Sequence, residues 1–164
     1  MNKAFTKEDE GPQADRLDDL PQSPHPNYVT PAGLTALQQR LRYRHNDLSA
    51  MSRDSLDARL PRAMAERDIR FLEGRLNRAI PVDPAIQDPE VVAFGACVTV
   101  VDGQDRKTHW HIVGEDEADP AQRRIAPFSP LAQSLLGARV GDVVDWHKPG
   151  GTEELEIAAI RYFT

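Results

Sequence analysis

The 164 residues carry 20 basic and 26 acidic side chains, a formal net charge of −6 and a mean hydropathy of −0.55. A chain of this size holds one good core, or a small core with a helical appendage. It has no run of about 18 apolar residues, which excludes a spanning helix, and its overall acidity argues against a protein that coats nucleic acid at large.

The opening MNKAFTKEDEGP lacks the apolar stretch of a secretory signal. The single cysteine, Cys97, reads as a small buried hydrophobe in a reducing compartment. The expectation is a cytoplasmic monomer with no membrane contact. Charge is segregated along the chain. Residues 1–27 hold three basic and six acidic groups, 28–80 hold ten arginines, no lysine and six acids, and 81–164 hold seven basic and fourteen acidic groups. Arginine without lysine favours fixed, planar contacts to phosphate or carboxylate over diffuse attraction.

In chain order, residues 1–27 are charged, proline-punctuated and without apolar periodicity, which predicts a flexible acidic tail. YVTPAGLTALQQRL then opens a helix, with Thr30 as N-cap and Pro31 at the first helical position. Leu34, Leu37, Leu41 and Leu48 form its apolar stripe. The spacing predicts about 24 residues from Pro31 to Asp54, or ~36 Å at 1.5 Å per residue. A second helix is expected from near Pro61, where Ala65, Ile69, Leu72, Leu76 and Ala79 make a seam of alternating four- and three-residue steps. Two such seams joined by the polar SRDSLDARLP predict an antiparallel helical hairpin, a coiled coil, over 28–80.

PVDPAIQDPE, residues 81–90, reads as a linker and the domain boundary. Beyond it the period changes to two. Val92, Phe94, Ala96, Val98 and Val100 alternate with small or polar partners, and THWHIVG puts Trp110 and Ile112 on one face and His109 and His111 on the other. SPLAQSLLG is a short helix capped by Ser129, begun by Pro130 and ended by Gly137. The last two strands turn around Pro149–Gly150–Gly151. Residues 91–164 are thus an antiparallel β domain with one short helix, and the fold class is α+β.

His109 and His111 share a strand face, a spacing zinc can use. A catalytic zinc needs three convergent ligands and an open position, and spacing supplies no third, although His147 follows Trp146 on another strand. The expectation is a pair of solvent-facing histidines and no metal. The acids after Gly114 read as an exposed acidic knob at a strand end, which a basic partner surface could grip.

FGACVTV, IVGEDEAD, SPLAQSLLGARVGDVV, PGG and LEIAAIRY, in that order, resemble the C-terminal domain of the bacterial Gre transcript-cleavage factors. YVTPAGLTAL and FLEGRL resemble the two ends of that family's hairpin, so the likeness spans roughly 28–163. It implies a coiled coil followed by a domain like that of FK506-binding proteins. It further implies docking on core RNA polymerase at its secondary channel, with the hairpin inserted and its tip acids helping to hold a Mg²⁺ of the polymerase, whose own machinery cuts the transcript. No cofactor of its own is implied.

Carried over, the tip acids match Asp54 and Asp57, with aspartate where the family has glutamate, Arg53 where it has glycine and Ala58 where it has asparagine. The docking residues expected from the likeness together with exposure are Asp116, Glu117, Asp119, Ser129 and Pro130. Arg40, Arg42, Arg44, Arg67, Arg70 and Arg75 correspond to a basic patch toward nascent RNA, or else are ordinary helix surface. Against the family pattern the arms look short by roughly two turns, ~11 Å, while Mg²⁺ coordination tolerates only ~0.2 Å around ~2.1 Å. The implied factor modulates elongation or competes with cleavage factors instead of driving cleavage. Three alternatives stand beside it: a regulator of nucleoside diphosphate kinase, suggested by the short hairpin; a prolyl isomerase, suggested by the fold; and a metal enzyme at His109 and His111.

Overall fold

A computed structural model of the protein describes residues 16–163, and expectations for residues 1–15 lie outside them. Helix α1 spans Pro31–Ala50. Thr30 caps it as expected, its Oγ1 accepting from the Gly33 N–H at 3.0 Å, with Pro31 at the first position. It ends four residues before Asp54, however. Met51 turns extended, and the Ser52 hydroxyl accepts from the Asp54 and Ser55 amides, offering the backbone an alternative to the helical ladder. Twenty residues make an arm of about 30 Å instead of ~36 Å.

A 3-10 turn at Leu56–Ala58 leads into α2, Arg59–Asn77. Pro61 sits in the first turn, where an amide has no intrahelical partner to lose. The two helices run in opposite directions: Arg44 meets Asp68 at 3.0 Å mid-arm, and Arg62 reaches the Met51 carbonyl at 3.2 Å near the far end. Val29, Leu37 and Leu72 form the buried centre at the base of the pair, with Leu34, Leu41, Phe71 and Leu76 packed around them. Farther out the buried positions are Ala63, Ala65 and Ile69.

Strands β1 (Asn27–Val29) and β2 (Ala79–Pro81) pair in parallel beneath the helices. The β domain comprises β3 (Ala96–Val101), β4 (Lys107–Ile112), β5 (Arg124–Ile125), α3 (Pro130–Leu135), β6 (Val143–Lys148) and β7 (Gly151–Tyr162). The sheet order is β5-β4-β3-β7-β6, antiparallel except where β5 joins β4. The sequence reading of a wholly antiparallel sheet therefore fails at β5 and overlooks the β1–β2 ribbon; two- and three-residue strands are too short to show a period.

The alternating positions Val98, Val100, Ile112, Leu155 and Ile157 fill the core together with Leu131, Ala132 and Leu135 of α3. The sheet is curled. Trp110 on β4 and Trp146 on β6 meet edge to face at 6.0 Å, although three strand spacings in a flat sheet would separate them by ~14 Å. A register shift at Thr99/Val100, where β7 carries one extra residue, contributes to the bend. No helix among the described residues is long and apolar enough to cross a membrane.

The tail expected over 1–27 is different where it is described. From Arg16 to Pro26 the chain lies against α2 and the β domain. Arg70 donates to the Leu17 carbonyl at 2.8 Å and to Asp19. Gln22 donates to the Phe71 carbonyl at 3.0 Å, Ser23 to Glu115 at 2.9 Å, and His25 stacks on Phe128 at 4.1 Å. These are long-range side-chain contacts, which leave no periodicity for a sequence reading to find.

Candidate functional site

The candidate residues gather at two places, the far end of the helix pair and its root on the β domain, and a cleft on the β domain makes a third. At the far end Asp54 and Asp57 are both exposed, the first in the turn and the second in the 3-10 segment. Arg53, Arg59, Arg62 and Glu66 share the shallow depression around Asp54, so the tip mixes both signs of charge. No group of three or more His, Cys, Asp or Glu among the described residues is arranged to hold a metal ion. The tip carboxylates are Asp54 and Asp57, with Glu66 on the rim of the depression and ion-paired to Arg62.

The root is where the sequence reading needs most correction. Asp116 and Glu117 are not an exposed knob, because both face the helix pair. Arg75, 2% exposed, donates from Nε to Asp116 at 2.8 Å and from Nη2 to the Asn27 side-chain oxygen at 2.6 Å, with Glu115 at 3.7 Å. Asn27 returns a bond from Nδ2 to the Arg75 carbonyl at 2.8 Å. A buried guanidinium is tolerated only where such partners replace water.

Glu117 crosses to the start of α1. Its carboxylate accepts from the Thr30 hydroxyl at 2.5 Å and from the Gly114 amide at 3.1 Å. An anion at a helix N-terminus is also favoured by the aligned backbone dipoles. Two glycines permit this closeness. A Cβ on Gly33 would collide with the Glu117 carboxylate, and one on Gly114 would lie 2.6 Å from the Tyr28 carbonyl oxygen. Asp119 is half-buried and instead caps the following turn, accepting from Ala121 at 3.2 Å.

The cleft lies between the curled ends of the sheet. Trp110, Pro120, Ile125, Leu131 and Trp146 line a space of about 320 Å³, with Ser129 and Pro130 at its edge. Trp110 and Trp146, partly buried against the core, also line this opening. Ser129 spends its hydroxyl on structure, donating to the Ala126 carbonyl at 2.8 Å while accepting from Ala132 at 3.3 Å. No single residue type signals such a cleft in sequence; it arises from curling that brings β4 and β6 together.

His109 and His147 are exposed on their strands, whereas His111 is half-buried against Phe163 and not solvent-facing as expected. His109 bonds the Thr99 hydroxyl at 2.8 Å, His111 the Gly95 carbonyl at 3.2 Å, and His147 the Thr152 hydroxyl at 3.1 Å. The arginine stripe is interrupted. Arg40 and Arg42 are exposed, whereas Arg44 pairs with Asp47 and Asp68, Arg67 lies 3.9 Å from Asp68, Arg70 holds Asp19 and Arg75 is buried. Arg75 therefore leaves the basic patch and joins the root. Its place three residues after Leu72, on the apolar face, was the available signal.

A family described as "Transcription elongation factor, GreA/GreB, C-term" matches residues 87–162. Transcription elongation factor GreB of Neisseria meningitidis is 37% identical over 154 residues, covering 83% of this chain and 94% of that protein. Transcription elongation factor GreA of Alkalilimnicola ehrlichii is 41% identical over 107 residues, covering 64% and 68%. Among solved structures, GreA factor homolog 1 of Thermus thermophilus is 28% identical, covers 84% of this chain and 99% of its own, and gives a TM-score of 0.41.

Proposed function

Because this chain belongs to the GreA/GreB family of transcription elongation factors, we propose that it acts on RNA polymerase as a two-part device, a docking base and a probe. The base, with a fold like that of FK506-binding proteins, seats on core polymerase at the mouth of its secondary channel through the Trp110–Trp146 cleft and the Ser129–Pro130 helix start. An apolar cleft edged by polar groups suits a protruding apolar side chain of a protein partner. The helix pair enters the channel, and its exposed arginines Arg40 and Arg42 face nascent RNA or the channel walls.

The observation that carries this reading is the root. The buried Arg75 and the Glu117 cap tie the helix pair to the base at two separate points, so docking of one part fixes the direction of the other. The chain itself breaks no bond; any transcript cleavage is the polymerase's chemistry. A Mg²⁺ shared at the tip is a matter for Asp54 and Asp57 alone, and they could supply only part of its coordination. Arms of about 30 Å hold those carboxylates back from the reach that the longer family pattern implies. The factor therefore modulates elongation and competes with cleavage factors.

Binding of the chain to core polymerase, followed by transcript lengths in arrested complexes with and without Asp54→Ala, tests the reading. The expected result is binding, transcript shortening no faster than background, and no effect of the substitution. Absence of binding overturns the function; rapid dose-dependent shortening overturns the assignment as a poor cleavage factor. The two tryptophans also fit a proline-bearing peptide, but fold likeness does not make an isomerase; turnover of a prolyl peptide above the spontaneous rate would favour that second reading.

A further inference from the structure

The segment Arg16–Pro26 lies across the helix pair with graded attachment. At its C-terminal end it runs into Asn27, which is buried and bonded to Arg75. Midway it is held by the Gln22–Phe71 and Ser23–Glu115 bonds, both part-buried. At its N-terminal end the contacts are solvated: Asp19, 62% exposed, meets Arg70 at 2.5 Å, and Arg16 at 3.7 Å. The Arg70 guanidinium holds the Asp19 carboxyl below its ordinary range. Exposed pairs of this kind are weak and salt-sensitive, so the strap is fixed at one end and easily released at the other.

Beneath it runs a groove of about 530 Å³ between the helices. Leu20 of the strap forms one wall, and the others include Arg40, Tyr43, Phe71 and the Arg44–Asp68 ion pair. Tyr43 is 66% exposed although aromatic. Arg40 beside the exposed ring of Tyr43 and the half-buried Phe71 suits an unpaired nucleic acid, whose phosphate takes the guanidinium and whose base stacks on the tyrosine. An acidic protein wall would have no use for the rings. The strap already supplies a substitute for such a strand: a carboxylate and the Leu17 carbonyl on Arg70, and an apolar side chain at the groove.

We infer that the strap Arg16–Pro26 is a displaceable intramolecular cover, which engages Arg70 and walls one side of the Tyr43–Phe71 groove until a single-stranded nucleic acid takes its place. The inference rests on the reading of the helix pair as an RNA-facing probe only for the identity of the strand. With the strap in place Arg70 is neutralised by Asp19; with it lifted, the guanidinium is released next in sequence to Phe71 of the groove wall.

The test is fluorescence anisotropy of a labelled 12-nucleotide oligouridylate with the full chain and with Asp19→Ala/Leu20→Ser, across a salt series. The opened chain is expected to bind about three- to ten-fold more tightly, with a salt slope steeper by about 0.7 for the phosphate gained by Arg70. Adding Arg70→Glu should abolish the gain. In a Cys97→Ser background, spin labels at positions 18 and 46 should move apart when oligouridylate is added to the otherwise native strap.

Equal affinities of native and opened chains, no RNA binding by either, an equal gain for polyglutamate, or label distances unchanged at saturating RNA would each overturn the cover. Binding to core polymerase, measured on the same native preparation, separates the two ideas. A chain that binds polymerase but shows no strap effect overturns the cover alone. One that gains RNA affinity on opening but ignores polymerase supports the cover and overturns the proposed function.

Discussion

Arg75→Met keeps an unbranched apolar stem, two atoms shorter, and removes the charge and donors at the root. Three contacts are lost: Asp116 at 2.8 Å, Asn27 at 2.6 Å and the looser Glu115 at 3.7 Å. Removing one member of a fully buried ion pair costs about 3–5 kcal/mol because the other is left uncompensated. Here Asp116 is 16% and Glu115 24% exposed, so part of their hydration survives, and about 2–3 kcal/mol is expected. Asp116→Leu strands the guanidinium instead and should cost a similar amount. The double variant leaves neither charge alone and should lose at least about 1 kcal/mol less than the sum of the single losses. Urea unfolding followed by tryptophan fluorescence measures all three, since Trp110 and Trp146 report on the β domain. Single losses below about 0.5 kcal/mol, the level of ordinary surface substitutions, or strict additivity, would refute the idea that this pair ties probe to base.

Gly33→Ala should push the Glu117 carboxylate off the start of α1 and cost about 1–2 kcal/mol, the cost of a lost cap, despite alanine's better helix propensity; a stabilised variant in the same unfolding assay would contradict the close approach. Leu37→Ala, at the buried centre of the helix pair, should cost about 2–4 kcal/mol and lower helical circular dichroism before the β domain melts. Burial pushes the Cys97 thiol up, with Arg161 opposing weakly. Its thiolate fraction at pH 7 is thus below that of free cysteine, and disulfide-exchange reagents should label it more slowly than the free amino acid, accelerating as pH rises toward 9; labelling as fast as free cysteine would contradict this.

What the sequence discloses depends on how local its cause is. Thr30 and Pro31, Ser129 and Pro130, and the Val92–Val100 alternation all act on their own neighbours, and each is found where spacing puts it. The helix end was misplaced because a single hydroxyl, Ser52, decides it. The root was hidden for a different reason. Arg75 and Asp116 are 41 positions apart, and an acidic run after a strand looks alike whether it faces water or a guanidinium. The strap leaves no sequence signal because its contacts with α2 are made by isolated side chains about 50 positions apart in the chain. Resemblance carried the family, which local physics could not have supplied; it did not foresee that two of the acids expected to grip a partner would grip the helix pair instead.

The central claim, that the base docks on polymerase while the helix pair points inward, is tested most directly by where the tip arrives. A photo-cross-linker attached at position 55, in a Cys97→Ser and Ser55→Cys chain bound to core polymerase, should join the tip to polymerase segments around the catalytic centre. Trp146→Ala, which opens the docking cleft, should weaken that adduct about ten-fold or more, in line with loss of a central aromatic anchor. Adducts confined to the outer surface of polymerase, or an adduct indifferent to Trp146, would contradict the account.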